Sequence, residues 1–227
     1  MTGSRWHLLP LCTGKGDQTV VDERTTEVED YLRQTKYYID AIERNSIGKA
    51  VEFLVDAWRD GAKVFIAGNG GSASTATHFA CDLNKWVSQD AEKRFRAFSL
   101  VDNIPLVSAL TNDNGFNNVY SEQLENFFEK GDVFVAISVH GGSGKDKADL
   151  WSQNLLKATE FAKSKGGRTI ALVGFDGGVL KNMVDVCVLV PAHSTPQVEG
   201  LHLVLTHLIC DEIRRRIVPS ERLNVRK

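Results

Sequence analysis

Three stretches of the chain share one pattern: a short run of β-branched and small apolar residues that ends at a glycine-rich turn. They are Lys63-Val64-Phe65-Ile66-Ala67 before Gly68-Asn69-Gly70-Gly71-Ser72, Asp132 to Ser138 (DVFVAIS) before His140-Gly141-Gly142-Ser143-Gly144, and Arg168 to Gly174 (RTIALVG). Near-continuous apolar runs of this length suit strands covered on both faces. Helical spacing fills the intervals, from Ser74 to Val87, about Val119 to Phe128, about Ala148 to Ser164, and Gln197 to Val218. Phe98 to Val101 and Val184 to Val190 add two short strands, with an apolar segment from Ile104 to Leu110. This alternation predicts a doubly wound α/β fold, a parallel sheet sandwiched by helices. Ahead of it, Val28, Tyr31, Leu32, Ile39 and Ile42, then Ala50, Phe53, Leu54, Ala57 and Trp58, recur at helical spacing around a break at Asn45-Ser46. They predict an N-terminal helical hairpin.

A chain of 227 residues, 42% hydrophobic and 25% charged, is long enough for one sizeable domain, expected over 23–227 with the hairpin included, after a flexible tail at 1–22. The apolar run Leu8 to Leu11, interrupted by Pro10, is too brief for a secretory core or a membrane span. A net charge of −2 gives no global attraction to nucleic acid or to an anionic membrane, so a small-molecule partner is expected. Cys12, Cys81, Cys187 and Cys210 are widely spaced and form no CxxC pair, which fits a reducing, cytoplasmic setting.

Ligands of open α/β sheets bind beyond the carboxyl ends of the strands, which singles out the loops after Ala67, Ser138 and Gly174. Glycine lets backbone N–H groups close on an anion, and the helix that follows adds its positive dipole end, worth about 0.3–2 kcal/mol per charge. Ser72 and Ser143 add hydroxyl donors. One such loop alone reads equally well as a tight turn; two in successive cycles weigh toward binding. The GxxxxGK[ST] motif is absent, and Gly68-Asn69-Gly70-Gly71 lacks the GxGxxG spacing of a dinucleotide site, so a monophosphate is the expected anion.

His78 and Asp82 stand at i and i+4 on the helix after the first loop, on one face. The spacing suits a divalent metal such as zinc, an acid–base pair, or a surface His–Asp pair with no chemistry. On the last helix Glu199, His202 and His207 interrupt the apolar run of Leu201, Leu203, Leu205, Leu208 and Ile209. Glu199 and His207 are about 12 Å apart at 1.5 Å of rise per residue. Either Glu199 precedes the helix, or the two serve different sites, or subunits share a site. The plain reading of His202 is a core histidine with its hydrogen bonds satisfied.

Taken in order, GNGGSASTATHFACDL (Gly68 to Leu83), TNDNGFNNVYSEQLE (Thr111 to Glu125), GDVFVAISVHGGSG (Gly131 to Gly144), IALVGFDGG (Ile170 to Gly178) and VEGLHLVLTHLI (Val198 to Ile209) resemble the phosphoheptose isomerase family, from about Glu27 to the last helix. The resemblance implies an SIS fold and a homotetramer with active sites at subunit interfaces. It also implies a bound zinc, and conversion of sedoheptulose 7-phosphate to an aldoheptose 7-phosphate through an enediol, for heptose nucleotide-sugar precursors. By position, Asn69, Gly70, Gly71, Ser72, Ser138, His140 and Ser143 would contact the sugar phosphate, joined by Asp102, Asn112, Asp113 and Glu199. His78 matches a metal-binding histidine and His207 the catalytic one. Asp82 stands where the family has a glutamate that ligates metal and acts as base, and Glu199 replaces a glutamine. The implied metal set is His78, Asp82, Glu199 and His207, with Asp82 and His207 catalytic.

The chain departs from the family pattern at Val139 and His140, which replace two hydroxyl residues of the phosphate loop. His140 is expected to offer a cationic phosphate contact when protonated. Two other functions fit the same residues: a non-catalytic sugar-phosphate-binding regulator, or an isomerase of another ketose phosphate. The acid–base set of His78, Asp82 and His207 favours an enzyme, and the absence of a basic recognition helix argues against direct nucleic-acid binding.

Overall fold

The computed structural model describes residues 23–142 and 151–223, so the expected tail at 1–22 and the expected phosphate contact Ser143 lie outside the described residues. The chain falls into two units, one ending at Gln34 and the other beginning at Thr35. Helix α1, Glu23–Ala41, opens in the first, where its surface is largely exposed and Arg33 pairs with Asp30.

In the second unit, α2 spans Arg44–Asp60. Its cap is the Glu43 carboxylate, which accepts the Asn45 and Ser46 N–H groups at 2.8 and 2.6 Å. The break expected at Asn45-Ser46 therefore falls three residues earlier, at Ile42-Glu43, because a carboxylate at the cap satisfies those amides and makes them the first turn.

The sheet comprises β1 (Lys63–Gly68), β2 (Arg96–Ser99), β3 (Val133–Ser138), β4 (Arg168–Val173) and β5 (Val186–Leu189), all parallel, in the order β2-β1-β3-β4-β5. Between them run α3 (Gly71–Asp82), α4 (Ile104–Asn114), α5 (Val119–Phe127), α6 (Gln153–Ser164) and α7 (Leu180–Met183); α8 (Thr195–Ile217) and α9 (Ser220–Leu223) follow β5. Alternate strand residues feed two cores. Val64, Ile66, Val135, Ile137 and Leu172 pack with residues of α2, α3 and α8, whereas Phe65, Ala67, Phe134, Ala136 and Val173 pack with residues of α5 and α6. Each fully buried large side chain contributes about 1.5–3 kcal/mol. The expected fold class is therefore the observed one.

Several boundaries differ: α3 opens at Gly71 rather than Ser74, and α6 at Gln153 rather than about Ala148. β2 lies two residues before the expected Phe98 to Val101, because it is an edge strand registered on β1 from Lys63↔Arg96 to Ile66↔Ser99. Leu100 belongs to the turn, its N–H still bonding the Ile66 carbonyl at 2.9 Å. The apolar segment after it is helix α4, opened by Pro105 and by the Asn103 side chain, which accepts the Leu106 N–H at 3.2 Å.

From β1 the chain moves one way to β2, while β3, β4 and β5 extend the other way. The order reverses between β1 and β3, and a crevice opens beyond their carboxyl ends at Gly68 and Ser138. No helix among the described residues is long and apolar enough to cross a membrane.

Candidate active site

The turn between β1 and α3 is the shortest route from the sheet to a helix N-terminus. Gly70 holds φ 57° and ψ −127°, a conformation that a side chain would disfavour. Gly71 lies under the Glu199 carboxylate, where a Cβ would come within 2.5 Å of Oε1. With both positions stripped of side chains, Ser72 enters the first turn of α3 facing the crevice.

A pocket of about 210 Å³ fills this crevice, lined by Asn69, Ser72, Ser138, His140, Ser152 and Thr195 among others. Ser72 belongs to the first turn of α3, Ser152 directly precedes α6, and Thr195 begins α8. Three helix N-termini thus meet one pocket whose lining carries hydroxyls, an amide and an imidazole but no carboxylate, a setting that favours an anion. Asn69 is fixed from behind: its amide and that of buried Asn154 exchange hydrogen bonds at 3.0 and 2.9 Å. The Tyr120 hydroxyl donates to the Gly68 carbonyl at 2.6 Å, and burial pushes its pKa up to about 12, so it stays a donor.

α3 and α8 run side by side in the same direction, with Gly71 beside Glu199 and His78 beside His207. Near the far end of α3, His78 Nε2 and His207 Nε2 are 3.0 Å apart, and Asp82 Oδ2 lies 3.4 and 3.5 Å from them. Ligand atoms about 2.0–2.2 Å from a tetrahedral zinc stand roughly 3.3–3.6 Å from one another; the two carboxylate distances match, and the imidazole nitrogens need to part by only about 0.3 Å, so the three side chains fit three corners of such a site. Without a cation, the two facing imidazole nitrogens need one ring as the Nε2–H tautomer. His78 and His207 are about half exposed and Asp82 less so, which leaves the fourth corner open.

Glu199, expected as a ligand, is not part of this cluster. It lies within α8, as does His207, so it does not precede the helix; the helical rise holds its carboxylate at the start of α3, two turns from His207. His202 is fully buried, as expected, but its polar contact is a marginal one with the Val173 main chain: among the described residues neither ring nitrogen reaches hydrogen-bond geometry, short of the satisfied histidine expected. Burial lowers its pKa to about 4, outweighing the Val173 main chain, which favours the charged form.

Asp102 accepts a hydrogen bond from Thr77 at 2.7 Å, which sets it beside the face of α3 that carries His78. Ser74, Thr77, His78 and Cys81 on that face line a hollow of about 480 Å³. Asn112 and Asp113 stand exposed at the end of α4, bonded to each other at 2.9 Å, and line neither pocket nor cluster. Ser152, Thr195, Asn154 and Tyr120 were not anticipated. For Thr195 the signal was present in Ser194-Thr195-Pro196, a helix-start sequence.

The SIS domain model matches residues 30–174. A lincomycin biosynthesis protein, LmbN, from Streptomyces lincolnensis is 41% identical over 170 residues, 73% of this chain; the chain spans 61% of that protein's length. A phosphoheptose isomerase from Sulfurimonas denitrificans is 36% identical over 186 residues, covering 82% of this chain and 90% of that enzyme. Among solved structures, a phosphoheptose isomerase from Francisella tularensis superposes with a TM-score of 0.74 at 26% identity, covering 87% of this chain and all of that one. With a strand order, a glycine turn and a His–Asp–His cluster of this kind, and with relatives covered over most of their length, the chain belongs to the SIS domain family and, within it, to the phosphoheptose isomerases.

Proposed function

We propose that the chain is a zinc-dependent aldose–ketose isomerase that converts sedoheptulose 7-phosphate to an aldoheptose 7-phosphate through an enediol. The observation that carries this reading is the convergence of His78, Asp82 and His207 beside α3 at a set distance from the anion pocket. Six residues of α3 separate Ser72 from His78, about 9 Å of rise. Seven bonds separate phosphorus from C2 in an extended ketoheptose 7-phosphate, about 9 Å at roughly 1.25 Å of advance per bond. A six-carbon ketose falls about one bond short.

In this reading the phosphate sits among Ser72, Ser138, His140, Ser152 and Thr195, and the carbonyl end lies at the histidines. Asp82 takes the C1 proton while His207 delivers a proton to the C2 oxygen, giving the 1,2-enediol. Loss of the O1 proton and return of a proton to C2 then yields the aldose, with no net oxidation. Zinc held by His78, Asp82 and His207 would polarise the two oxygens and stabilise the charge developing on them. Asp82 presents Oδ2 to the histidines, which leaves Oδ1 for the proton. Val204 and Leu208, exposed beside His207, are apolar surface that a second copy would cover, in keeping with a homotetramer whose sites lie at interfaces. The free thiols Cys81, Cys187 and Cys210 suit a cytoplasmic setting.

The test incubates metal-depleted and zinc-restored protein with sedoheptulose 7-phosphate in D₂O and follows aldose formation by NMR, with Asp82→Asn as control. Zinc-dependent aldose carrying deuterium at C2 is the expected result. Absence of product in every state, with sugar phosphate still bound, would sink the isomerase reading in favour of another substrate or a sensor.

A further inference from the structure

His140 lines the anion pocket, and its ring packs at a tilt against two others: Phe175 at 4.3 Å between centroids and 45° between planes, and Trp151 at 4.8 Å and 52°, with His193 edge-on to Phe175 at 5.4 Å. The backbone beneath is held as well. Gly174 N–H bonds the Val139 carbonyl at 3.0 Å, Leu180 N–H the Gly141 carbonyl at 2.8 Å, and Val179 N–H the Gly142 carbonyl at 2.9 Å, so the loops after β3 and β4 form one rigid rim. Among the described residues, the non-glycine residues at positive φ are Ser152 (58°) and Phe175 (53°). One follows Trp151 and the other is itself in this aromatic cluster. Such a conformation persists for a side-chain-bearing residue only where its surroundings enforce it, and it concentrates at functional sites.

We propose that Phe175 and Trp151 are positioning residues that hold the His140 imidazole as a fixed donor to phosphate, in a pocket otherwise furnished with hydroxyls. The inference rests on reading that pocket as the phosphate end of the substrate site. A serine hydroxyl rotates to meet its acceptor, whereas an imidazole is rigid and directional and donates well only if its plane is set beforehand. The aromatic clamp sets that plane before the anion arrives, so no side-chain freedom is lost on binding. Trp151, about half exposed, reports on the same site through its fluorescence.

The experiment titrates inorganic phosphate into the full chain by calorimetry and by tryptophan fluorescence, and measures turnover of sedoheptulose 7-phosphate in parallel. His140→Ala weakens phosphate binding about tenfold. Trp151→Ala and Phe175→Leu each weaken it about three- to fivefold, while Trp151→Phe keeps the ring contact and the affinity but loses the fluorescence change. Combined with His140→Ala, Trp151→Ala has no further effect, because it acts through the ring already removed. In turnover, Trp151→Ala raises KM with kcat within about twofold. Full, independent weakening by Trp151→Ala in the His140→Ala background, or unchanged phosphate affinity in His140→Ala itself, overturns the proposal. Phosphate binding with the expected coupling but no turnover of the heptose phosphate supports the clamp and sinks only the isomerase reading.

Discussion

At the amino ends of β1 and β3, polar groups are closed on one another. Asp132, nearly fully buried, accepts the Lys63 N–H at 2.7 Å and the Glu129 N–H at 2.8 Å, and its Oδ2 lies 3.2 Å from the Lys63 ammonium. Burial works against that ammonium, but Glu129 and Asp132 outweigh it and raise its pKa. At the carboxyl ends of the same strands, Ser72, Ser138, His140 and Thr195 face a pocket, and His78 and His207 turn their nitrogens toward each other. One pair of strands carries a stabilising end and a binding end. Polar residues that look alike in sequence are distinguished by whether the fold closes them into the core or turns them toward a pocket.

The comparison predicts opposite consequences for removing charge at the two ends. Asp132→Ala leaves the buried Lys63 ammonium with Glu129 alone and removes the acceptor of the Lys63 and Glu129 N–H groups, and should cost about 2–4 kcal/mol in urea unfolding, with turnover per folded molecule unchanged. A cost below about 1 kcal/mol would show that this end is not the clasp described. At the other end, Asp82→Asn and His207→Ala should each lower turnover at least about 100-fold. Their unfolding free energies should stay within about 1 kcal/mol of wild type, since both side chains are partly exposed. A large loss of stability in these variants would erase the distinction between the ends.

His202 belongs to neither end and sharpens the contrast, being buried and ionisable beside the Val173 main chain, with no complete hydrogen bond among the described residues. Unfolded, the ring titrates near its ordinary 6.5; folded, near 4. Between these values the unfolded chain binds a proton that the folded chain lacks. The stabilising contribution is complete above pH 6.5 and lost as pH falls to about 4, by roughly 3 kcal/mol. His202→Leu should therefore flatten the decline of Tm between pH 7 and 4.5; an unchanged decline would place the acid sensitivity elsewhere.

Much of this was legible before the structure, and for physical reasons. Apolar runs such as DVFVAIS announce strands buried on both faces, and glycine turns announce their ligand-facing ends, because both patterns are local. The i, i+4 spacing of His78 and Asp82 placed two cluster members on one face. His207 joined them by resemblance alone, since nothing local pairs α3 with α8. Glu199, which the resemblance places in the metal set, stands apart from the cluster of His78, Asp82 and His207, as the rise per residue already separates it from His207; its place against Gly71 depends on the alignment of two helices distant in sequence. Ser152 and the aromatic cluster of His140, Trp151 and Phe175 were illegible for the same reason, as loops from different cycles meet only in three dimensions.

The smallest predicted effects lie within the binding end, between its two serines. Ser138 Oγ accepts the Gly141 N–H at 3.0 Å, so it supports the loop as well as facing the pocket. Ser72 is anchored through its backbone, its N–H bonding the Asn69 carbonyl at 3.1 Å, which leaves the hydroxyl for a ligand. Ser72→Ala should raise KM for the sugar phosphate about tenfold and leave stability within about 0.5 kcal/mol. Ser138→Ala should raise KM similarly but also cost about 1 kcal/mol, because the Gly141 N–H loses its buried partner. Equal stability of the two variants in urea would mean that water replaces Ser138 at that amide, and the loop after β3 would then owe its shape to its bonds with the loop after β4.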